Sequence, residues 1–213
     1  MKFLILSAGQ LGKLIAEIST RSKHIDCVGF LDPDSSLHGK SFYDIPVLGS
    51  DDLLNELFLK GIKHAMPSMG DLINRSKLIK QCLDLGFDIP SIIDPSTILT
   101  SNNCLNKGVC VLYGSVISPS VIINDFTVVG SGVNILHDTN IGKNCMIGGG
   151  TTIGSSVNVG DNVSFGVGVV VASASSIKIG DNVSIAAGSV VLNNIPRNSF
   201  VLGNPARVIR QNK

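Results

Sequence analysis

The sequence predicts an α/β domain followed by a parallel β-helix. Three observations carry this prediction: aliphatic residues at every sixth position across the second part of the chain, glycine after many of them, and a strand–turn–helix–strand order at the N-terminus. We place the boundary so that residues 1–91 form the first domain and residues 92–213 form the second. The two parts have different periodicities, which is why they are assigned to separate domains.

The first domain begins with the pattern of a βαβ unit. Residues 3–6 are predicted to form a strand, residues 11–21 a helix and residues 27–31 a second strand. Helical spacing recurs near residues 50–60 and 72–85. This order is typical of a small, doubly wound, Rossmann-like domain with a parallel sheet.

The first turn, residues 7–12, is a variant of a glycine-rich nucleotide-binding turn. It has the pattern G-x-G-x-x-G, with Ser7 in place of the first glycine. Such a turn presents a helix N-terminus, with free N–H groups and a positive dipole end, to a phosphate. Asp32 ends the second strand, where a carboxylate can bind a ribose hydroxyl. One mononucleotide-sized half favours a nucleotide or nucleotide-sugar over NAD, and a tight turn without a ligand remains the alternative.

The second domain has a hexapeptide period. Ile, Leu or Val recurs at every sixth residue from Ile93 to Val171, with one exception, Phe165, and the series resumes in a shifted frame at Ile179. The residue four positions further on is mostly small or β-branched. A fixed period of this length is the signature of a parallel β-helix, in which each coil stacks its aliphatic side chains on the next. The strands of a β-sandwich alternate with period two, so we reject that alternative.

Composition limits the partners and the compartment. The 213 residues carry a formal net charge of +1 and have no cluster of Lys and Arg, so we expect no nucleic-acid partner and no polybasic membrane contact. Five cysteines without a C-x-x-C motif favour a reducing cytoplasm over a disulfide framework. No apolar run approaches the roughly 18 residues of a membrane span. A small-molecule partner is therefore expected.

One histidine of the β-helix region is a candidate catalytic base. The chain has four histidines, and only His137 lies in the hexapeptide region, so a zinc site with three imidazoles is not expected there and no metal is predicted. His137 has an outward position near a corner. The adjacent Asp138 could accept from one ring nitrogen and leave the other basic. Neighbours on a regular strand point to opposite faces, so this pairing requires a bend, and a solvated turn dipeptide remains the alternative.

Several segments together resemble a known family. These are residues 135–150, the small-residue coil at 185–188, the closing residues 201–207 and the N-terminal turn with Asp32. They resemble the hexapeptide-repeat sugar acyltransferases of the sialic-acid O-acetyltransferase and bacterial UDP-amino-sugar N-acetyltransferase type. The resemblance covers nearly the whole chain. It implies a left-handed β-helix and a homotrimer with its active sites between neighbouring β-helices. It also implies acetyl-CoA along the groove and a UDP-linked 4-amino-4,6-dideoxy sugar on the N-terminal domain.

The resemblance also implies roles for individual residues. His137 is the catalytic base, and Asp138 orients it. The CoA contacts fall on Met146, Ser155, Val167, Ala186 and Ala187. The nucleotide-sugar contacts fall on Gly9, Gly12, Asp32 and Asp34. The chain departs from the family where Leu11 replaces the usual histidine of the first turn and where Met146 replaces a second histidine found in some members.

The predicted function is acetyl-CoA-dependent N-acetylation of a nucleotide-linked amino sugar in bacterial surface-glycan biosynthesis. His137 would take a proton from the sugar amine as it attacks the thioester, with no covalent intermediate. A sugar O-acetyltransferase with a sialic-acid-like acceptor would use the same base, so the residues do not separate these two activities. A third alternative is a β-helix scaffold without catalysis, against which the outward His137–Asp138 pair argues.

Overall fold

A computed structural model describes residues 1–22, 24–173 and 176–211. The chain divides into two compact units, Met1–Pro90 and Ser91–Lys213. Among the described residues, none of the helices combines the length and the apolar character needed to cross a membrane.

The first unit is an α/β unit with a mostly parallel sheet. Its strands are β1 (Lys2–Leu6), β2 (Asp26–Leu31), β3 (Ser41–Phe42), β4 (Ile45–Gly49) and β5 (His64–Pro67). Its helices are α1 (Gln10–Arg21), α2 (Leu54–Leu59) and α3 (Leu72–Asp84), with short 3₁₀ turns at Ser35–Leu37 and Asp51–Leu53. The strand order is β3-β4-β2-β1-β5. Among the described residues, β3 is the only strand of this sheet that pairs antiparallel to its neighbour, β4.

The centre of this sheet is apolar on both faces. Phe3, Leu4, Ile5 and Leu6 of β1 are fully buried, as expected for a central parallel strand covered by helices. Helix α1 buries Ile15, Ala16 and Ile18 on one face. The three predicted elements of the βαβ pattern are confirmed, and each begins one residue earlier than predicted.

The second unit is a parallel β-helix of short strands. They are β6 (Ile92–Ile93), β7 (Ile98–Leu99), β8 (Cys104–Leu105), β9 (Cys110–Val111), β10 (Val116–Ile117), β11 (Ile122–Ile123), β12 (Val128–Val129), β13 (Asn134–Ile135), β14 (Asn140–Ile141), β15 (Met146–Ile147), β16 (Thr152–Ile153), β17 (Asn158–Val159), β18 (Ser164–Phe165), β19 (Val170–Val171), β20 (Lys178–Ile179), β21 (Ser184–Ile185), β22 (Val190–Val191), β23 (Ser199–Gly203) and β24 (Ala206–Gln211).

These strands form three sheets, in which each strand pairs with the equivalent strand of the next coil. The sheet orders are β22-β19-β16-β13-β10-β7, β20-β17-β14-β11-β8 and β24-β23-β21-β18-β15-β12-β9-β6. Hydrogen-bonded residues of successive coils are 18 apart in the middle of the stack, and this spacing becomes 20 where Asp161 bonds to Asp181. The two additional residues lie between β19 and β20. Strand β24 closes the last sheet antiparallel to β23.

Turns between the strands form three corners. The first corner contains residues 101–102, 119–120, 137–138 and 155–156; the second contains 107–108, 125–126, 143–144, 161–162 and 181–182; the third contains 113–114, 131–132, 149–150, 167–168 and 187–188. The second residue of a turn often has positive φ, as at Asp138 (59°), Asn144 (50°) and Asn162 (57°). Asparagine tolerates this left-handed conformation, which explains Asn144 and Asn162 at the second corner.

The hexapeptide ladder forms the core. Ladder residues from Val111 to Val171 are buried, whereas Leu99 at the start of the stack is 42% exposed. Val191 continues the ladder, since it is buried while Leu192 is 46% exposed. Full burial of one aliphatic side chain contributes roughly 1.5–3 kcal/mol, so the column stabilises the stack without help from helices. The predicted parallel β-helix is confirmed.

The structure explains the residue types at two further positions of the hexapeptide. A Cβ at Gly142 would lie 2.3 Å from the Gly160 carbonyl oxygen, so the glycines after the ladder allow the coils to approach closely. The buried Thr127 hydroxyl donates to the Gly142 oxygen at 2.8 Å and accepts from the Cys145 N–H at 2.9 Å. A small hydroxyl side chain therefore satisfies backbone groups of the following coil inside an apolar core.

Candidate active site

His137 and Asp138 form a side-chain pair at the first corner. His137 Nδ1 lies 2.8 Å from Asp138 Oδ2, and both side chains are 59% exposed. Strand β13 ends just before the turn, and the left-handed conformation of Asp138 (φ 59°) turns its side chain to the same side as the imidazole. The bend that the sequence required for this pairing is therefore present.

The other imidazole nitrogen faces the next coil. His137 Nε2 lies 3.0 Å from Ser155 Oγ, in the turn that follows β16. The backbone holds the two turns in register, because Ser156 N–H donates to the His137 carbonyl at 3.0 Å. His137, Asp138 and Ser155 are thus brought together, although Ser155 was predicted as a CoA contact and not as a partner of the histidine.

The remaining predicted CoA contacts lie elsewhere on the β-helix. Val167 is 63% exposed at the third corner, and Ala186 and Ala187 lie at the same corner one coil later. Met146 is half-buried on β15, in the sheet that leads to this corner. The Ala186 and Gly188 N–H groups donate to the Val201 and Val167 carbonyls. A ligand on this corner would therefore meet the alanine methyl groups and not these two N–H groups.

The glycine-rich turn of the first unit joins β1 to α1. Ser7 has φ 91°, Gly9 is the N-cap of α1, and no side chain caps this helix end. The first N–H groups of α1 are therefore available to an anion, as in the predicted phosphate site. Gly12 has a different environment: a Cβ there would lie 2.1 Å from the Ser7 carbonyl oxygen. Its small size is explained by the packing of α1 on the end of β1.

Asp32 connects this turn to the end of β2. Its Oδ2 accepts from Ala8 N–H at 2.8 Å and its Oδ1 accepts from Asp34 N–H at 2.9 Å, and the residue is 7% exposed. Asp34 is exposed and caps the following 3₁₀ turn. Hydrogen bonds from the Ser36 side chain and N–H lower the pKa of Asp34. Gly9, Asp32 and Asp34 thus lie around one turn, with Asp32 tied to the backbone.

A cavity of about 200 Å³ lies at the carboxyl ends of the parallel strands of the first unit. Its lining residues are Ser7, Pro33, Asp51, Met69, Asn74, Lys77 and Leu78. Burial, with the charges of Asp32 and Asp52, raises the pKa of Asp51. Within the described part of the chain, Asp51 Oδ1 is buried without a hydrogen-bond partner. Ligands of open α/β sheets bind at this edge.

Three residues near these sites were not found from the sequence. Asp51 lies in the segment near residues 50–60 for which only helical spacing was predicted. His38 Nε2 donates to the Asp32 carbonyl at 2.8 Å, and Ser173 Oγ accepts from Ser155 N–H at 3.0 Å. Each coil contains three hexapeptides, so residues 18 apart are stacked. Once this coil length is known, Ser155 and Ser173 fall in the same column as His137. The sequence gives no comparable signal for Asp51 or His38.

Other chemistries are not supported by the geometry. In residues 1–22, 24–173 and 176–211, no group of three or more His, Cys, Asp or Glu side chains is arranged to hold a metal ion. Burial raises the pKa of the Cys27 and Cys82 thiols to about 12, which makes them poor nucleophiles. Cys145 is buried in the β-helix core.

This chain is similar to solved structures over nearly its whole length. No protein-family model and no curated protein matches it. Among solved structures, GDP-perosamine N-acetyltransferase (PerB) from Caulobacter crescentus, in complex with CoA and GDP-perosamine, is 27% identical with a TM-score of 0.89. The match covers 98% of this chain and 97% of that chain.

Two further structures are similar over the same length. A variant of the Caulobacter crescentus enzyme with one histidine replaced by alanine, also with CoA and GDP-perosamine, is 26% identical with a TM-score of 0.91, covering 99% of this chain and 98% of that chain. The acetyltransferase domain of PglB from Neisseria gonorrhoeae FA1090 is 23% identical with a TM-score of 0.87, covering 98% and 99%, and shows the fold alone. Together, the comparisons show that this chain is similar, over nearly its whole length, to solved structures of a sugar N-acetyltransferase and of an acetyltransferase domain.

Proposed function

We propose that this chain N-acetylates a nucleotide-linked 4-amino-4,6-dideoxy sugar in bacterial surface-glycan biosynthesis, with His137 as general base. The chain is an acyltransferase that uses acetyl-CoA, because its similarity to an N-acetyltransferase bound to CoA extends over nearly the whole of both chains. The exposed His137–Asp138 pair carries the assignment of the base. The Asp138 carboxylate holds the imidazole at Nδ1. The other nitrogen, Nε2, faces the hydroxyl of the neighbouring turn and can accept a proton.

The proposed reaction is a direct transfer. The sugar amine attacks the thioester carbonyl carbon, and His137 Nε2 takes the proton that the amine nitrogen loses. The tetrahedral intermediate collapses, the carbon–sulfur bond breaks, and the CoA thiolate receives the proton from His137. Asp138 accepts from Nδ1–H throughout and stabilises the imidazolium that forms between the two steps. The products are the N-acetyl sugar and CoA with a free thiol.

The first unit is proposed to be a Rossmann-like domain that binds the nucleotide-sugar. Three features support this assignment: the strand order β4-β2-β1-β5, the N-terminus of α1, which no side chain caps, and the cavity at the carboxyl ends of the strands. Asp34 is exposed beside the turn and Asp32 shapes it. The nucleotide proposed from the resemblance is UDP. The similarity to an enzyme in complex with GDP-perosamine favours a GDP-linked sugar as the second candidate.

The proposed assembly is a homotrimer in the cytoplasm, without nucleic-acid or membrane partners. Two groups of proposed site residues support the trimer. His137 lies at the first corner, whereas Val167, Ala186 and Ala187 lie at the third corner of the same β-helix. A site that combines both groups requires the third corner of one chain to approach the first corner of another. Light scattering of the purified protein measures the assembly directly.

The function is tested by following the release of the CoA thiol from acetyl-CoA. The acceptor panel contains UDP- and GDP-linked 4-amino-4,6-dideoxy sugars, other nucleotide-linked amino sugars and free sialic-acid-like sugars. We expect release with a nucleotide-linked amino sugar and an amide in the product by mass spectrometry. Release with a hydroxyl acceptor alone would establish an O-acetyltransferase instead. Failure of the protein to bind acetyl-CoA would overturn the proposal.

A further inference from the structure

The Ser155 hydroxyl contacts the imidazole nitrogen that the proposed reaction uses. Ser155 Oγ is 3.0 Å from His137 Nε2, within the range of a normal hydrogen bond. The contact joins two turns of the first corner that are 18 residues apart in sequence. Because Ser156 N–H donates to the His137 carbonyl, the backbone positions of both turns are fixed relative to each other.

The direction of this hydrogen bond follows from Asp138. An ionised carboxylate only accepts, so His137 Nδ1 must carry the proton that it shares with Asp138 Oδ2 at 2.8 Å. In the neutral ring, Nε2 then has a free lone pair and can only accept. The Ser155 hydroxyl is therefore the donor. This tautomer is the one that a general base at Nε2 needs.

Ser155 is itself held by the following coil. Its backbone N–H donates to Ser173 Oγ at 3.0 Å. The Asp138, His137 and Ser155 side chains thus form a connected series, and Ser173 holds the backbone of Ser155. Such a series restricts the rotation of the imidazole at both nitrogens.

We propose that Ser155 is a positioning residue for His137. Its hydroxyl holds the imidazole plane and the free lone pair of Nε2 at the place where the acceptor amine arrives, and the amine then replaces the hydroxyl at Nε2. The inference rests on the proposed function, in which His137 is the base. It assigns Ser155 to the histidine and not to CoA.

The surroundings of Ser155 argue against a nucleophilic role. A serine that attacked the thioester would need N–H donors for the developing oxyanion. Ser155 N–H donates to Ser173 Oγ, and Ser156 N–H donates to the His137 carbonyl. The two nearest backbone donors in the described turn are therefore already used by the protein.

Kinetics of three variants test the proposal. We expect Ser155→Ala to lower kcat about tenfold or more, because a misplaced base loses alignment with its substrate. The KM for acetyl-CoA should not change. Ser155→Thr keeps the hydroxyl and should restore kcat. Ser101→Ala, an exposed turn serine of the same corner, is the matched control and should behave as the wild type.

Nitrogen NMR of the His137 side chain gives a readout that needs no substrate. The resonance is assigned by its loss in His137→Gln and measured at a pH where the ring is neutral. We expect the Nε2 resonance of Ser155→Ala to move towards that of a nitrogen without a hydrogen-bond donor, and Ser155→Thr to return it. If this occurs in a protein that acetylates no sugar, the proposed function fails while the positioning role stands.

Three results would overturn the positioning role. One is an Nε2 resonance that is the same in wild type and Ser155→Ala. Another is a rise in the KM for acetyl-CoA with kcat unchanged, which would make Ser155 a CoA contact. The third is an acetyl group on Ser155, found by peptide mass spectrometry after incubation with acetyl-CoA alone, which would make it a nucleophile.

Discussion

His137 and Asp138 are adjacent in sequence, and their side chains are nevertheless hydrogen-bonded, with 2.8 Å between Nδ1 and Oδ2. On a strand, adjacent side chains point to opposite faces. The β-helix corner removes this restriction because Asp138 adopts a left-handed conformation. The hydrogen-bonded pair of two consecutive residues is therefore a product of the turn, and the described turns at 101–102, 119–120 and 155–156 occupy the same corner without such a pair.

Removal of the imidazole should abolish most of the activity without unfolding the protein. We expect His137→Ala to lower turnover by about 10² or more, since this is the usual contribution of a general base. The side chain is exposed, so the thermal midpoint should change little. Thiol release and circular dichroism measure the two effects. The exposed His24 supplies the control His24→Ala, and full activity in His137→Ala would show that another group is the base.

The two aspartates near the first turn should differ in their effects. Asp32→Ala removes the acceptor of two backbone N–H groups, and unpaired buried donors cost about 1–3 kcal/mol of unfolding free energy each. We expect it to lower stability and to raise the KM for the nucleotide-sugar. Asp34→Ala should raise the same KM with a smaller loss of stability, because Asp34 is exposed. Chemical denaturation measures the stability of each variant, and steady-state kinetics measures its KM. Equal stability of the variants would contradict the structural role of Asp32.

Two glycines of the β-helix form a matched pair for stability. A Cβ at Gly142 would lie 2.3 Å from a backbone oxygen of the next coil, whereas Gly150 has open space and φ 67°. We expect Gly142→Ala to lower the free energy of unfolding by about 3 kcal/mol or more, since the coils must separate. Gly150→Ala should cost about 1 kcal/mol, the cost of a left-handed alanine. Urea titration measures both, and equal losses would show that coil spacing is not the constraint.

The charge of Asp51 should destabilise the first unit at neutral pH. Burial raises its pKa in the folded state, so the folded state holds the proton more tightly than the unfolded chain does. The stability that protonated Asp51 contributes is present below its ordinary pKa of about 3.9 and is lost as the pH rises through the folded value. We therefore expect Asp51→Asn to raise the thermal midpoint at pH 7 and to have no such effect below about pH 4.

A surface aspartate supplies the control for this pH dependence. Asp84 lies on α3 in an exposed pair with Lys80. Asp84→Asn should change the thermal midpoint little at either pH, because exposed ion pairs contribute little. If Asp51→Asn is no more stable than the wild type at pH 7, a partner of Asp51 stabilises its charge and the inferred direction is wrong.

The repeat region could be predicted from sequence because each hexapeptide position has one physical task. Ile135 and Thr139 face the core, and Gly142 lets two coils approach, so residue size and position determine the fold without long-range information. The β3–β4 hairpin was missed for a different reason. Tyr43 and Asp44 form its turn with positive φ at both positions (53° and 62°), and these residues lack the Asn-Gly or Asp-Gly signal of such turns.

The candidate site was partly predictable because the hexapeptide position shows which side chains face outward. His137 was found because it is an ionisable residue at an outward position beside a carboxylate. The Ser155 contact depends on which turns are stacked, and the hexapeptide period alone does not give the number of strands per coil. Asp51 depends on the end of β4 meeting the ends of β1 and β2, which is a tertiary relationship with no local sequence pattern.

The two additional residues between β19 and β20 show where the stack accepts a change in coil length. The strands on either side keep their register, since Asn158 pairs with Lys178 and Val170 with Val190. Length added between these strands is thus accommodated without disturbing the stacked coils. Ser173 lies just after β19 and accepts from Ser155 N–H, one coil after the contact between Ser155 and His137. The length of this coil can therefore change while the residues that hold the coils together stay the same.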